Sequence, residues 1–136
     1  MSRKRILVVD DETSITRLLK MNLELIGNFE VREENLGAHA LAAAREFKPD
    51  LILLDVMMPD MDGGQVAAVL KQDPGLRKTP VVFLTAAVKK EELGAPDGKI
   101  GGRTYIAKPL NVKGVIGVIE RTLGRSASAS PGDRSG

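Results

Sequence analysis

Five side chains able to do phosphoryl or metal chemistry stand where short apolar runs end. Asp10 and Asp11 follow Ile6-Leu7-Val8-Val9, and Asp55 follows Leu51-Ile52-Leu53-Leu54. Thr85 closes Pro80-Val81-Val82-Phe83-Leu84, and Lys108 follows Thr104-Tyr105-Ile106-Ala107. Three carboxylates brought within a few ångströms of one another repel, each disfavouring ionisation of the others. A divalent cation relieves that repulsion. An all-oxygen donor set without His or Cys suits Mg²⁺, with waters completing the octahedron. A lysine beside such a site holds phosphate oxygens as a point charge. A carboxylate can itself attack phosphorus to form an aspartyl phosphate, the metal and the ammonium neutralising the charge that develops. Taken singly these residues say little. An acidic pair is an ordinary solvated turn, one Asp an ordinary strand end, and Thr a common strand residue.

The residues are far apart in the chain, so a fold must gather them. The apolar runs read as strands buried on both faces, as in a parallel sheet. Between them lie helical patterns. Ile15, Leu18, Leu19, Asn22, Leu23 and Ile26 share one face, stopped by Gly27-Asn28. Residues 29–33 alternate apolar and polar, which predicts a half-exposed edge strand. An Ala-rich helix over 38–47 ends before Pro49, a turn-rich loop from Met57 to Gly64 leads into a helix over 64–72, and 86–93 can be helical. Asn111 caps a last helix carrying Val112, Val115, Ile116, Ile119 and Leu123 on one face. Strand and helix alternate five times, which predicts a parallel sheet with helices on both faces and right-handed crossovers. In such a sheet every strand opens its C-terminal end on one rim, and ligands bind there at the topological switch point. That rim would collect Asp10, Asp11, Asp55, Thr85 and Lys108.

Composition narrows the function. The chain has 136 residues, 43% hydrophobic and 28% charged, as expected for one globular domain. It has no cysteine, so disulfides and thiolate metal sites are excluded. The basic start Ser2-Arg3-Lys4-Arg5 is followed by an apolar run too short for a secretory leader, and no stretch approaches a membrane span. These features predict a cytoplasmic protein without membrane contact. The net charge is +2, and no basic stripe is interleaved with aromatics, so nucleic-acid binding by this chain alone is not expected. The expected division is a folded unit over 1–124 and a disordered Ser- and Gly-rich tail over 125–136. His39, the single histidine, reads as a helix-surface residue. Met57, Met58 and Met61 read as loop packing, and Lys89-Lys90-Glu91-Glu92 as a solvated face.

The acidic pair after the first strand, Asp55 followed by Met57-Met58-Pro59-Asp60-Met61-Asp62-Gly63, Thr85-Ala86 and Lys108-Pro109 together resemble the bacterial response-regulator receiver domain over residues 4–123. The resemblance implies a flavodoxin-like, doubly wound α/β fold with a five-stranded parallel sheet in the order 2-1-3-4-5. It implies phosphoryl transfer from a histidine kinase or histidine phosphotransfer protein to Asp55. Mg²⁺ would be held by Asp10, Asp11, Asp55 and the backbone carbonyl of Met57. Lys108 would pair with the phosphoryl group, and its bond to Pro109 would be cis. Thr85 would move onto a phosphoryl oxygen and Tyr105 would follow inward. The face of the fourth helix, fifth strand and fifth helix would then change, for an unnamed downstream protein or for dimerisation. Such a protein is not an enzyme with a released product; it phosphorylates and dephosphorylates only itself.

Two departures from the family pattern carry expectations. Gly94, Gly98, Gly101, Gly102 and Pro96 predict a short or mobile fourth helix. Met57 and Ala87, two residues after Asp55 and Thr85, offer no polar group to orient an attacking water, which predicts slow loss of the phosphoryl group. A competing reading is a docking scaffold that keeps the fold without phosphotransfer, but no acid, Thr or Lys is missing. A haloacid-dehalogenase-type phosphatase would need an acid where Met57 stands. A flavin carrier would need a hydroxyl- and Gly-rich phosphate loop after the first strand, where this chain has acids.

Overall fold

The computed structural model describes residues 3–86, 99–100 and 103–127. Its elements run β1 (Lys4–Val9), α1 (Thr13–Leu25), β2 (Phe29–Glu34), a 3₁₀ turn (Gly37–His39), α2 (Ala40–Phe47), β3 (Leu51–Asp55), α3 (Gly63–Gln72), β4 (Val81–Thr85), β5 (Lys99–Ile100), β6 (Arg103–Ala107) and α4 (Val112–Ala127). Five strands are parallel in the order β2-β1-β3-β4-β6, the 2-1-3-4-5 arrangement. The sequence reading did not contain β5, which adds an antiparallel sixth strand at the β6 edge. Two residues among glycines carry no periodicity to read.

Side-chain alternation along the strands builds two cores. Ile6, Val8, Leu51, Leu53, Val82 and Leu84 face α1 and α4 and meet Leu19, Leu23, Val115 and Ile119. Leu7, Val9, Ile52, Leu54 and Phe83 face α2 and α3 and meet Ala44, Val66 and Leu70. β3 is buried at every position, which is why its sequence is a continuous apolar run rather than an alternating one. β2 is an edge strand with alternating burial at its start.

Local chemistry sets the helix ends. Asp62 and Gln65 form a reciprocal capping box at the start of α3. Asn111 Oδ1 accepts from the Gly114 N–H at 3.0 Å and caps α4. Lys48, which closes α2, is left-handed (φ 54°). The α1 face is narrower than its spacing suggests. Thr16, Leu19 and Leu23 are buried, whereas Leu18 and Ile26 are 40% and 58% exposed. α2 begins two residues later than predicted, after the 3₁₀ turn. α4 runs through Ala127, three residues past Gly124. The expected helix over 86–93 falls, apart from Ala86, outside the described residues, as do the glycines at 94 and 98 and the last nine residues. Among the described residues no helix is long and apolar enough to cross a membrane.

Candidate functional site

Strand register builds the site. Val9 pairs with Leu54, Asp55 with Leu84, and Thr85 with Ala107. The residue after β1 therefore lies beside the last residue of β3, and the residue after β6 lies just beyond the end of β4. Asp10, Asp55 and Lys108 also continue the alternation phase of Val8, Leu53 and Ile106, the α1–α4 side of the sheet. The outcome is a cluster in which Asp10, Asp11 and Asp55 each offer a carboxylate oxygen, all within 4.8 Å of one another. Lys108 Nζ sits 3.0 Å from Asp10 Oδ2 and 3.4 Å from Asp55 Oδ1. Asp10 and Asp55 are buried, while the Lys108 side chain is 12% exposed.

Several contacts hold this arrangement. The Asp10 N–H donates to the Glu34 carbonyl (3.1 Å), and Asp10 Oδ1 accepts from the Glu12 N–H (2.9 Å). Asn35 Nδ2 donates to the Asp10 carbonyl (2.8 Å) and to Thr16 Oγ1 (3.0 Å), tying the end of β2 to the acidic turn. After β3 the Val56 N–H donates to the Leu84 carbonyl and the Gly63 N–H to the Val56 carbonyl, at 3.0 and 2.7 Å. A Cβ on Gly63 would fall 2.5 Å from the Asp55 carbonyl oxygen, so α3 approaches the strand end this closely because residue 63 has no side chain. Asp60 accepts from the Gly37 and Ala38 N–H groups (3.2 and 2.9 Å), docking the loop after β3 onto the 3₁₀ turn.

The electrostatics are those of crowded charge. Burial, the neighbouring Asp10 charge and a hydrogen bond involving Asp11 push the Asp55 carboxyl up to about 6, against the pull of Lys108. Burial disfavours the Lys108 ammonium, but the hydrogen bond to Glu12 and the charges of Asp10 and Asp55 outweigh it and raise its pKa. Asp10 Oδ2 is buried and lacks a donor in hydrogen-bonding geometry, although Lys108 Nζ lies 3.0 Å away. An ion pair without an aligned N–H leaves a lone pair available. A hard divalent cation would use that lone pair together with oxygens of Asp11 and Asp55, so the donor set fits Mg²⁺.

The other residues singled out from sequence lie around this cluster. Thr85 is buried, and its carbonyl accepts from the Lys108 N–H at 2.9 Å. Its alternation phase is that of Phe83, so it belongs to the α2–α3 side of the sheet. Tyr105 shares that side and stacks on Phe83, with ring centroids 5.2 Å apart. The Lys108–Pro109 bond is cis. Met58 is buried and Met61 packs against the core, but Met57 is 65% exposed, so it is not loop packing. Ala87 lies outside the described residues. His39 ends the 3₁₀ turn with an exposed ring 3.7 Å from Glu34. Sequence reasoning missed Glu12, whose Oε1 accepts from Lys108 Nζ at 2.9 Å, and also Asn35 and Asp60. The run Asp10-Asp11-Glu12 was a visible signal for the first; Asn35 and Asp60 sit in loops and carry no periodic one.

A five-stranded parallel sheet with three acids and a lysine at its C-terminal rim defines a class, and sequence comparison agrees. The profile of the response regulator receiver domain matches residues 6–120, and the chain belongs to that family. It is 42% identical over 129 residues to the alkaline phosphatase synthesis transcriptional regulatory protein PhoP of Bacillus subtilis, covering 94% of this chain and 52% of that protein. It is 41% identical over 126 residues to the transcriptional regulatory protein SrrA of Staphylococcus aureus, covering 92% and 50%. The chain thus spans about half the length of these relatives. Among solved structures, the chemotaxis protein CheY4 of Vibrio cholerae superposes with a TM-score of 0.75 at 28% identity, covering 88% of this chain and 98% of that one. The receiver domain of Francisella response regulator 1452 gives 0.75 at 26%, covering 91% and 99%.

Proposed function

We propose that this receiver domain accepts a phosphoryl group on Asp55 in a Mg²⁺-dependent reaction and passes the change to a protein-binding face. The convergence of buried Asp10 and Asp55 with Lys108, beside Asp11, carries this reading. An Asp55 carboxylate oxygen would form the new bond to phosphorus while the donor's bond to phosphorus breaks, its electron pair leaving with the donor. Asp55 must be ionised to attack, and bound Mg²⁺ would supply the charge that favours that form. Lys108 would hold a transferred oxygen as an ammonium. The donor would be a histidine kinase or histidine phosphotransfer protein, or a small phosphodonor, in the cytoplasm. The protein would modify only itself and would not turn over a separate substrate.

Thr85 and Tyr105 would transmit the event. Phosphorylation adds roughly −1.5 to −2 charge at one point, and it shifts a two-state equilibrium only by the contacts that differ between the states. The face that includes β6 and α4 is where a downstream partner or a second copy would sense it. The test is treatment with acetyl phosphate and Mg²⁺ followed by intact mass. One added phosphoryl group, absent in Asp55→Ala and absent with EDTA, is the expected result. No mass gain, or a gain that survives Asp55→Ala, would overturn the assignment and favour a phosphorylation-independent docking role.

A further inference from the structure

The geometry points to Glu12 as a positioning residue that holds Lys108 at the pocket rim and competes with a phosphoryl group for it. The inference rests on the phosphoacceptor reading above and adds a residue to it. Lys108 Nζ has three carboxylate neighbours. Its shortest contact, 2.9 Å, is to Glu12 Oε1, which is also its hydrogen-bond acceptor. Asp10 Oδ2 at 3.0 Å and Asp55 Oδ1 at 3.4 Å are ion-pair neighbours of the same nitrogen.

The three differ in exposure and in what else they serve. The Asp10 and Asp55 side chains are 0% and 5% exposed and belong to the oxygen cluster suited to a cation, whereas the Glu12 side chain is 55% exposed. With a cation on Asp10 and Asp55, those oxygens are shared, and Glu12 becomes the strongest remaining partner of the ammonium. Glu12 cannot drift freely from this position. It is the N-cap of α1, its N–H is held by Asp10 Oδ1 at 2.9 Å, and its carbonyl accepts from the N–H groups of Ile15 and Thr16. A phosphoryl group on Asp55 would draw Lys108 inward, and that draw must break the contact to Glu12. A half-exposed ion pair of this kind is modest in strength, so the residue tunes the site and does not abolish it.

Beryllium fluoride, which mimics a phosphoryl group on a carboxylate, tests this by equilibrium binding in Mg²⁺, read by ¹⁹F NMR. Glu12→Gln keeps the shape and removes the charge, and about two- to fivefold tighter binding than wild type is expected. The Lys108→Ala background separates tethering from general charge. There, Glu12→Gln should change the affinity less than 1.5-fold or so, whereas a long-range charge effect would persist. In metal-free protein the Lys108 ammonium signal in ¹H–¹⁵N spectra should shift or broaden in Glu12→Gln while backbone signals of β3 stay in place. Equal affinity of Glu12→Gln and wild type, or an equal gain in the Lys108→Ala background, would overturn the role of Glu12. Failure of wild type itself to bind the mimic would overturn the phosphoacceptor reading instead.

Discussion

Replacing Asp55 by Asn should stabilise the metal-free protein at neutral pH, and should stop doing so in acid. Burial and the Asp10 charge raise the carboxyl from the ordinary 3.8 to about 6 in the folded state. Each pKa unit is about 1.36 kcal/mol, so ionised Asp55 costs the fold at most about 3 kcal/mol. The rim is open to water on the Asp11 side, and screening reduces this to about 1–2 kcal/mol. The sign follows from proton counting. Between pH 3.8 and 6 the folded state binds more protons than the unfolded chain, so wild-type stability is fully present below pH 3.8 and falls as pH rises through 6. Asn cannot ionise and escapes that fall. Urea unfolding followed by circular dichroism in EDTA should give Asp55→Asn an advantage of about 1–2 kcal/mol at pH 7.5, shrinking toward zero at pH 3.5. Mg²⁺ should reverse the order, since a ligand at 100 times its Kd adds about 2.7 kcal/mol to the form that binds it. A variant no more stable than wild type at pH 7.5, or one whose advantage is the same at both pH values, would refute the reasoning.

Other outcomes follow from single contacts. Gly63→Ala would drive a methyl group toward the Asp55 carbonyl and the Val56 Cα, 2.5 and 2.9 Å away, and should cost about 2–3 kcal/mol in urea unfolding; a neutral result would mean that α3 shifts freely. Asp60→Ala removes the acceptor for the Gly37 and Ala38 N–H groups, so it should lower the urea midpoint and weaken Mg²⁺ binding in calorimetry. Unchanged Mg²⁺ affinity would show that the loop after β3 is held by other contacts. With an exposed, apolar Met57 two residues after Asp55, the phosphorylated protein should lose its phosphoryl group over minutes or longer by timed intact-mass measurement; a half-life of seconds in Mg²⁺ would contradict it.

The central parallel strands were legible because burial on both faces forces continuous apolar runs, and the acids that break those runs are conspicuous. Asp10, Asp55 and Lys108 could be placed together from register-like logic alone: strand ends share a rim, whatever the loops do. The outer elements were less legible. α1 shows why, since its spacing counted Leu18 and Ile26 as core although they face solvent, while Thr16 was overlooked because a hydroxyl satisfied by the Thr13 carbonyl and Asn35 can be buried. β5 is too short to show a period. Asn35 and Asp60 act through hydrogen bonds fixed by tertiary approach, which no local pattern encodes, whereas Glu12 was visible only as the end of an acidic run.

The sheet is a partition as well as a scaffold. By strand alternation Asp10, Asp55 and Lys108 continue the phase of one face, while Thr85 shares the phase of Phe83 and Tyr105 on the other. The bond from the Lys108 N–H to the Thr85 carbonyl spans neighbouring strand ends where the two sides meet. A shift of the lysine main chain would therefore be felt at the threonine through that bond, without any side chain crossing the barrier.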